Sequence, residues 1–394
     1  MITSLFRTAA LIILLISFAI DSSVSAQTAA PFATWVDTMD VYARTSFLPA
    51  KKYNWTWQNA ALLNAVIAKY ESAKPAQQAE YLAYVKDAMA KTYSFANGQK
   101  PNAVASGLGM AFLYRITKEE KYKKKCDKIY SDYLRNKRTK EGAVSHIALF
   151  TELWDDTVFM VGEFLISMYL ATGEEKYIED LVLQLSLHRD KLQVVEWGLW
   201  VHGWDKADWG HCLFCSQVHW SKNKDHRSAE MWGRGNGWVI VTLSDALKAL
   251  PANHTHYAKL SGYLNEMLMR LPELQDRKTG HWYQLPVRNN DPDNFIESSC
   301  TAMFGYGITT ALRLGIVAGE KFENSAALAY TGLRQHSISS TTDNLLTTQN
   351  ICSATCIGDK KYYFKRKVEK GKAYGLGSFI KFGLAYETYK GWRN

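Results

Sequence analysis

A short polar segment recurs in this chain at helical-hairpin spacing. Tyr114-Arg-Ile-Thr-Lys-Glu-Glu-Lys-Tyr122 returns as Tyr169-Leu-Ala-Thr-Gly-Glu-Glu-Lys-Tyr177, and looser versions occur at Ala252 to Leu260 and at Gly319-Glu-Lys-Phe322. On both sides of these turns apolar residues repeat at helical spacing. Ala60, Leu63, Val66, Ile67 and Tyr70 form one such face, and Gly162 to Leu183 and Ile308 to Leu333 behave alike around a turn containing glycine. One unit of roughly 55 to 65 residues is two helices with their connections, and the chain is long enough for about six. Strand-like alternation is scarce. An open stack of hairpins needs polar end caps, whereas six hairpins can close into a ring with inner and outer layers. The expectation is an all-α closed barrel in which the ends of the inner helices and their loops line one cavity.

Apolar residues make up 47% of the 394 positions, enough for a large core. Arg7, the apolar run Ala9 to Ile20, and Val24-Ser-Ala26 have the form of a cleaved secretory leader. That divides the chain into a leader at 1–26 and a single domain at 27–394, secreted, or periplasmic in a bacterium. No later segment has spanning length, so membrane association is not expected. The net charge of +9 favours acidic partners, and its densest runs, Lys121 to Lys125 and Lys360 to Lys367, read as solvated faces rather than nucleic-acid sites. Asn54 and Asn253 begin N-x-[ST] sequons, relevant only to a eukaryotic secretory route. Six cysteines permit disulfides, and the Cys212/Cys215 and Cys352/Cys356 spacings can each close a small loop. A four-sulfur zinc site is disfavoured because the two pairs lie far apart in sequence.

Four stretches carry chemistry-bearing residues. In Met231-Trp-Gly-Arg-Gly-Asn-Gly-Trp-Val-Ile240, glycines allow close backbone approach, Arg234 can grip a carboxylate with a two-pronged donor, and Trp232 and Trp238 offer faces for a sugar ring. The alternative is an interior segment packed on a neighbouring helix. In Trp154-Asp-Asp-Thr-Val-Phe-Met160, Asp155 reads as a helix cap. Asp156 adjoins the apolar Val158-Phe-Met run, and half-burial there would raise its pKa as a general acid requires. Val201-His-Gly-Trp-Asp205 places His202 between aromatic and acidic neighbours. In Gln275 to Gln284 and Asp291 to Ser299, aromatics mix with amides and carboxylates, and Glu297 reads equally as a site residue or a helix start.

Taken together, W-D-D-T-V-F-M, V-H-G-W-D, W-G-R-G-N-G-W, L-Q-D-x3-G-x-W-Y-Q and N-F-I-E-S-S-x-T-A-M-F-x-Y, with Gly375-Leu-Gly-Ser-Phe379 near the end, resemble glycoside hydrolase family 105. Members of that family are unsaturated rhamnogalacturonyl hydrolases, and the unsaturated glucuronyl hydrolases of family 88 are more distantly similar. The resemblance implies an (α/α)6 barrel, no metal or other cofactor, and an acidic oligosaccharide as the binding partner. It implies hydration of the C4=C5 double bond of an unsaturated galacturonic acid at the end of a lyase-cut pectin fragment. By position, Asp156 matches the acid/base, while His202, Trp232, Arg234 and Trp238 match substrate-binding residues. Asn102 stands at or beside the point where the family usually has an aspartate, which leaves room for altered specificity or an inactive glycan-binding relative. The other open reading is an unsaturated glucuronyl hydrolase acting on glycosaminoglycan-type fragments. Lys206 to Glu230 looks longer than usual, as a disulfide-pinned lid would. The resemblance leaves the oligomeric state open.

Overall fold

The computed structural model describes residues 34–48, 52–207, 217 and 220–393. The leader at 1–26 lies outside these residues, as do Cys212 and Cys215 and part of the Lys206 to Glu230 stretch. Six helices form an inner ring: Trp57–Ser72, Gly107–Thr117, Thr157–Thr172, Gly233–Ala249, Ser298–Arg313 and Ala373–Tyr389. Each packs on the next, and the last packs back on the first. Around them lie Pro75–Thr92, Glu120–Leu134, Lys176–Leu192, Tyr257–Leu268 and Glu320–His336, each against the inner helix before it. The sixth outer helix is Trp35–Ser46, which covers Ala373–Tyr389, so the two ends of the described chain close the barrel. This is the (α/α)6 architecture.

The two layers differ because their sequences differ. The outer helix Glu120–Leu134 buries Tyr122, Cys126, Ile129 and Tyr133, one stripe at helical spacing, and keeps its lysines outside. The inner helix Ser298–Arg313 is buried without a break from Ser298 to Ala311. Small residues let inner helices approach: a Cβ on Gly377 would lie 2.5 Å from the Ala61 carbonyl oxygen. The recurring polar segments are the tight inner-to-outer turns. Lys118 (φ 56°) and Gly173 (φ 73°) end the first helices of their hairpins in the left-handed conformation, Gly173 without steric penalty.

Because every inner helix returns through an outer one, the inner N-termini gather at one end of the barrel. The other end holds a buried charged group. Lys381 donates to Asp245 and to Asn64 (2.8 Å), and Asn64 donates to Glu163 (2.6 Å). These residues border a cavity of about 220 Å³ that is also lined by Glu71, Arg115 and Lys248. Burial, reinforced by Asp245, pushes the Glu163 carboxyl up to about 8. No helix among the described residues is long and apolar enough to cross a membrane.

Candidate active site

At the N-terminal end of the inner ring a two-stranded antiparallel ribbon, Glu152–Trp154 with Gly203–Asp205, joins two hairpin connections. Its register sets Trp154 opposite Gly203, and the Asp155 N–H then donates to the His202 carbonyl (2.9 Å). The ribbon therefore brings the Asp-Asp pair to His202.

Asp156 occupies the N-cap position of Thr157–Thr172, yet its carboxylate makes no capping bond and Oδ1 has no hydrogen-bond partner. The side chain is free for other chemistry. It faces His146, whose Nδ1 lies 3.6 Å from Asp156 Oδ1 and 2.9 Å from Thr157 Oγ1. The His146 ring lies flat on Trp154, centroids 4.4 Å apart with a 3° angle between planes. Asn102 Nδ2 reaches His146 Nε2 at 3.5 Å, a pairing that leaves the ring proton on Nδ1, toward Asp156 and Thr157. Burial raises the Asp156 carboxyl above the ordinary carboxylate range, and His146 and Arg234 draw it only part of the way back. Arg234 thus acts on the Asp156 carboxyl through its charge.

His202 is fully buried. Its Nδ1 pairs with the Tyr363 hydroxyl (2.7 Å), its ring lies 4.5 Å from that of Trp232, and burial keeps it neutral by depressing its pKa well below the usual value. Asp155 makes no hydrogen bond to another side chain: His202 Nε2 is 3.9 Å from Oδ1, and the donors acting on its carboxylate are the backbone N–H groups of Asp155 and Asp156. Asp155, Asp156 and His202 place potential ligand atoms within 4.8 Å of one another, a set that could accept a cation.

The glycine-rich stretch is a helix rather than a ligand-binding loop. Trp232 is the N-cap of Gly233–Ala249, and its glycines serve neighbouring protein. A Cβ on Gly233 would meet Cys300 Sγ at 3.0 Å, one on Gly235 the Asp155 carboxylate at 2.2 Å, and one on Gly237 Met303 Sδ at 2.6 Å. Arg234 is held as well. Its terminal nitrogens donate to the carbonyls of Cys352 and Ser353, both at 2.8 Å, and Glu297 Oε1 lies 3.6 Å away. The guanidinium sits over the rings of Trp232 (4.6 Å) and Tyr374 (4.8 Å). Its Nε has no partner. The expected fork toward a substrate carboxylate is therefore directed at backbone carbonyls here. The Trp232 ring, 2% exposed, is covered by Arg234 and His202 rather than open to a sugar. Trp238 points one turn deeper, packed against Phe159 (4.2 Å) and Trp57 (6.2 Å).

Glu297 proves to be both a cap and a site neighbour. It accepts from the backbone N–H groups of Ser299 (3.3 Å), Cys300 (2.6 Å) and Cys352 (3.0 Å) while facing Arg234. The expected Cys352/Cys356 loop does not form: Cys352 is a free buried thiol and Cys356 is disulfide-bonded. His146 and Tyr363 escaped the sequence reading. His146 stands alone in a loop with no motif around it, and Tyr363 lies in a basic run whose composition points to solvent.

The chain matches the family model described as Glycosyl Hydrolase Family 88 over residues 32–390. It is similar to the unsaturated rhamnogalacturonyl hydrolase YesR of Bacillus subtilis (strain 168), 28% identical over 271 residues that cover 66% of this chain and 70% of that protein. It also resembles the unsaturated 3S-rhamnoglycuronyl hydrolase of Alteromonas sp. (strain LOR), 26% identical over 43% of this chain and 37% of that protein. Its fold matches a family 105 glycoside hydrolase from C. acetobutylicum ATCC 824, with a TM-score of 0.77 and 24% identity, covering 91% of this chain and 100% of that one. With the barrel and the buried acid at the inner-helix ends, these matches identify the chain as a glycoside hydrolase belonging to Glycosyl Hydrolase Family 88.

Proposed function

We propose that this chain removes the 4,5-unsaturated galacturonic acid from the end of lyase-generated rhamnogalacturonan or pectin oligosaccharides, with Asp156 as acid and base. The observation that carries this reading is the state of Asp156, a buried carboxyl with a raised pKa, an unpartnered oxygen, and His146 and Arg234 acting on it. A raised pKa favours the protonated form from which a general acid starts. An enol ether is electron-rich at C4. Asp156 gives its proton to C4, water adds at the cationic C5, and the proton lost by that water returns to the Asp156 carboxylate. The hemiketal formed at C5 then opens and expels the neighbouring sugar. His146 fixes the Asp156 carboxyl from one side. The Arg234 cation supplies a field favouring the uronate carboxylate and the transient Asp156 carboxylate alike. The name of the relative YesR, an unsaturated rhamnogalacturonyl hydrolase, supports the pectic choice. The leader-like N-terminus and the disulfide at Cys356 support action in an oxidising compartment outside the cytoplasm.

The test uses the ultraviolet absorbance of the C4=C5 bond. Incubation with lyase-cut rhamnogalacturonan should bleach it and release the next sugar. Bleaching confined to unsaturated glycosaminoglycan disaccharides would move the assignment to a glucuronyl hydrolase. Saturable binding without any bleaching would make the chain a glycan-binding relative.

A further inference from the structure

At the barrel end away from Asp156, two carboxyls share one lysine. Lys381 of Ala373–Tyr389 gives its hydrogen bonds to Asp245 and to Asn64 (2.8 Å). Glu163, 4% exposed, accepts from Asn64 at Oε2 (2.6 Å), and no protein donor reaches Oε1. It is left to hold a proton that it shares with Asp245. The other polar groups around it are already matched. Arg115 of Gly107–Thr117 is paired with Glu71 of Trp57–Ser72. Lys248 of Gly233–Ala249 donates to the Tyr306 hydroxyl (3.2 Å), and Tyr306 of Ser298–Arg313 donates to Asp245. The outer helix Lys176–Leu192 places no charged residue on the cavity wall. The inner wall is therefore one cation short, and it borders the cavity.

We propose that this cavity binds a small organic ammonium, a primary amine on a short carbon body, with its charged head on Glu163 and its body against Phe112, Ile166 and Leu170. The volume of about 220 Å³ decides the size. A cavity of about 150 Å³ suffices for benzene, so this one takes an organic molecule of roughly six to ten non-hydrogen atoms. A bare divalent ion is a poor fit, because it needs about six oxygens at close range and one wall here is hydrocarbon. The mouth is open to solvent: Leu170 is 40% exposed and the Glu71 side chain 45%. The field has the right sign too. The cavity lies among the C-terminal halves of Trp57–Ser72, Gly107–Thr117, Thr157–Thr172 and Gly233–Ala249, whose dipoles favour positive charge. An ammonium head lets Glu163 ionise, its proton passing to solvent, and supplies the counter-charge that the wall lacks. Glu163 otherwise keeps that proton up to about 8, so binding at neutral pH is coupled to its release.

This site and the reaction at the other end of the barrel stand or fall separately, since none of these residues takes part in the proposed chemistry. Calorimetric titration of the full chain with n-butylamine at pH 7 should show saturable one-to-one binding. Heats compared in two buffers of different ionisation enthalpy should show about one proton released per ligand bound. Affinity should rise by up to about 10-fold per pH unit from pH 6 toward pH 8, as the amine competes with the proton on Glu163. Butyrate, with the same carbon body and the opposite charge, should not bind. Glu163→Gln keeps the shape and neutrality of the protonated acid, so the fold should stand. It should lose at least about 10-fold in affinity, and the proton release with it. Leu170→Trp, at the exposed mouth, should obstruct entry and weaken the amine without touching a charge, and it reads the site even if Glu163→Gln does not fold. Amine binding that either substitution leaves unchanged would overturn the proposal. So would butyrate binding as tightly as the amine, or no saturable heat with the amine.

Discussion

At the scale of single residues, burial decides what each polar group does. Asp155 and Asp156 are sequence neighbours, yet one has two cationic or polar supporters and the other packs against a glycine backbone. Gly235→Ala should therefore destabilise the fold by about 1–3 kcal/mol, because the added methyl meets a carboxylate that cannot retreat. Combined with Asp155→Ala, much of that loss should be recovered. Urea unfolding of the single and double variants checks the coupling, and strict additivity would show that the two positions do not press on one another. His146→Ala should reduce kcat about 10-fold or more by freeing the Asp156 carboxyl to rotate, with KM little affected. Steady-state kinetics on the unsaturated substrate would show it. The burial of Asp156 was legible in the sequence because the carboxyl adjoins an apolar run. The glycines left two readings open, a ligand site and a packed interior segment, and the structure shows the second. Spacing reveals that a backbone comes close to something, but not whether that partner is a ligand or another helix.

Among the elements, the Ser298–Arg313 helix ties packing to the site. Glu297 caps it, accepts from Cys352 N–H across the barrel end, and balances Arg234. Glu297→Ala removes a cap, worth about 1 kcal/mol, and leaves a buried guanidinium without its counter-charge, worth about 3–5 kcal/mol. Glu297→Gln keeps an acceptor for the helix N–H groups and should cost clearly less. Denaturant midpoints of the two variants measure the difference, and equal losses would assign the whole cost to the lost counter-charge and none to capping. The helices themselves were readable from periodicity, and their turns from the repeated polar segment with its left-handed cap residues. The ribbon Glu152–Trp154 with Gly203–Asp205 was not. Each strand is three residues long, too short to show alternation, and the pairing joins segments far apart in sequence.

For the molecule as a whole, the closed ring has one end for chemistry and another held by the Lys381–Asp245–Glu163 group. Glu163 is protonated in the folded state up to about 8, well above its unfolded value. The folded state therefore binds more protons than the unfolded state between those limits, and Glu163 makes stability fall as pH rises through that window. Glu163→Gln should flatten this part of the pH–stability curve, measured as Tm from pH 5 to pH 8. A slope unchanged from wild type would remove Glu163 as its source. Ring closure was foreseeable from the number of hairpins. That the first helix supplies the sixth outer position, covering the last, was not, because the sequence does not say which surfaces meet.

The account turns on a proton delivered by Asp156 to a carbon–carbon double bond. The most direct measurement follows ultraviolet absorbance and release of the neighbouring sugar together, for wild type and for folded Asp156→Asn. Wild type should lose absorbance in step with sugar release, and Asp156→Asn should be slower in both by at least about 100-fold. Sugar release with the absorbance intact would place the attack at the anomeric carbon, and turnover by Asp156→Asn at the wild-type rate would take the proton from another group. Either result would contradict the mechanism.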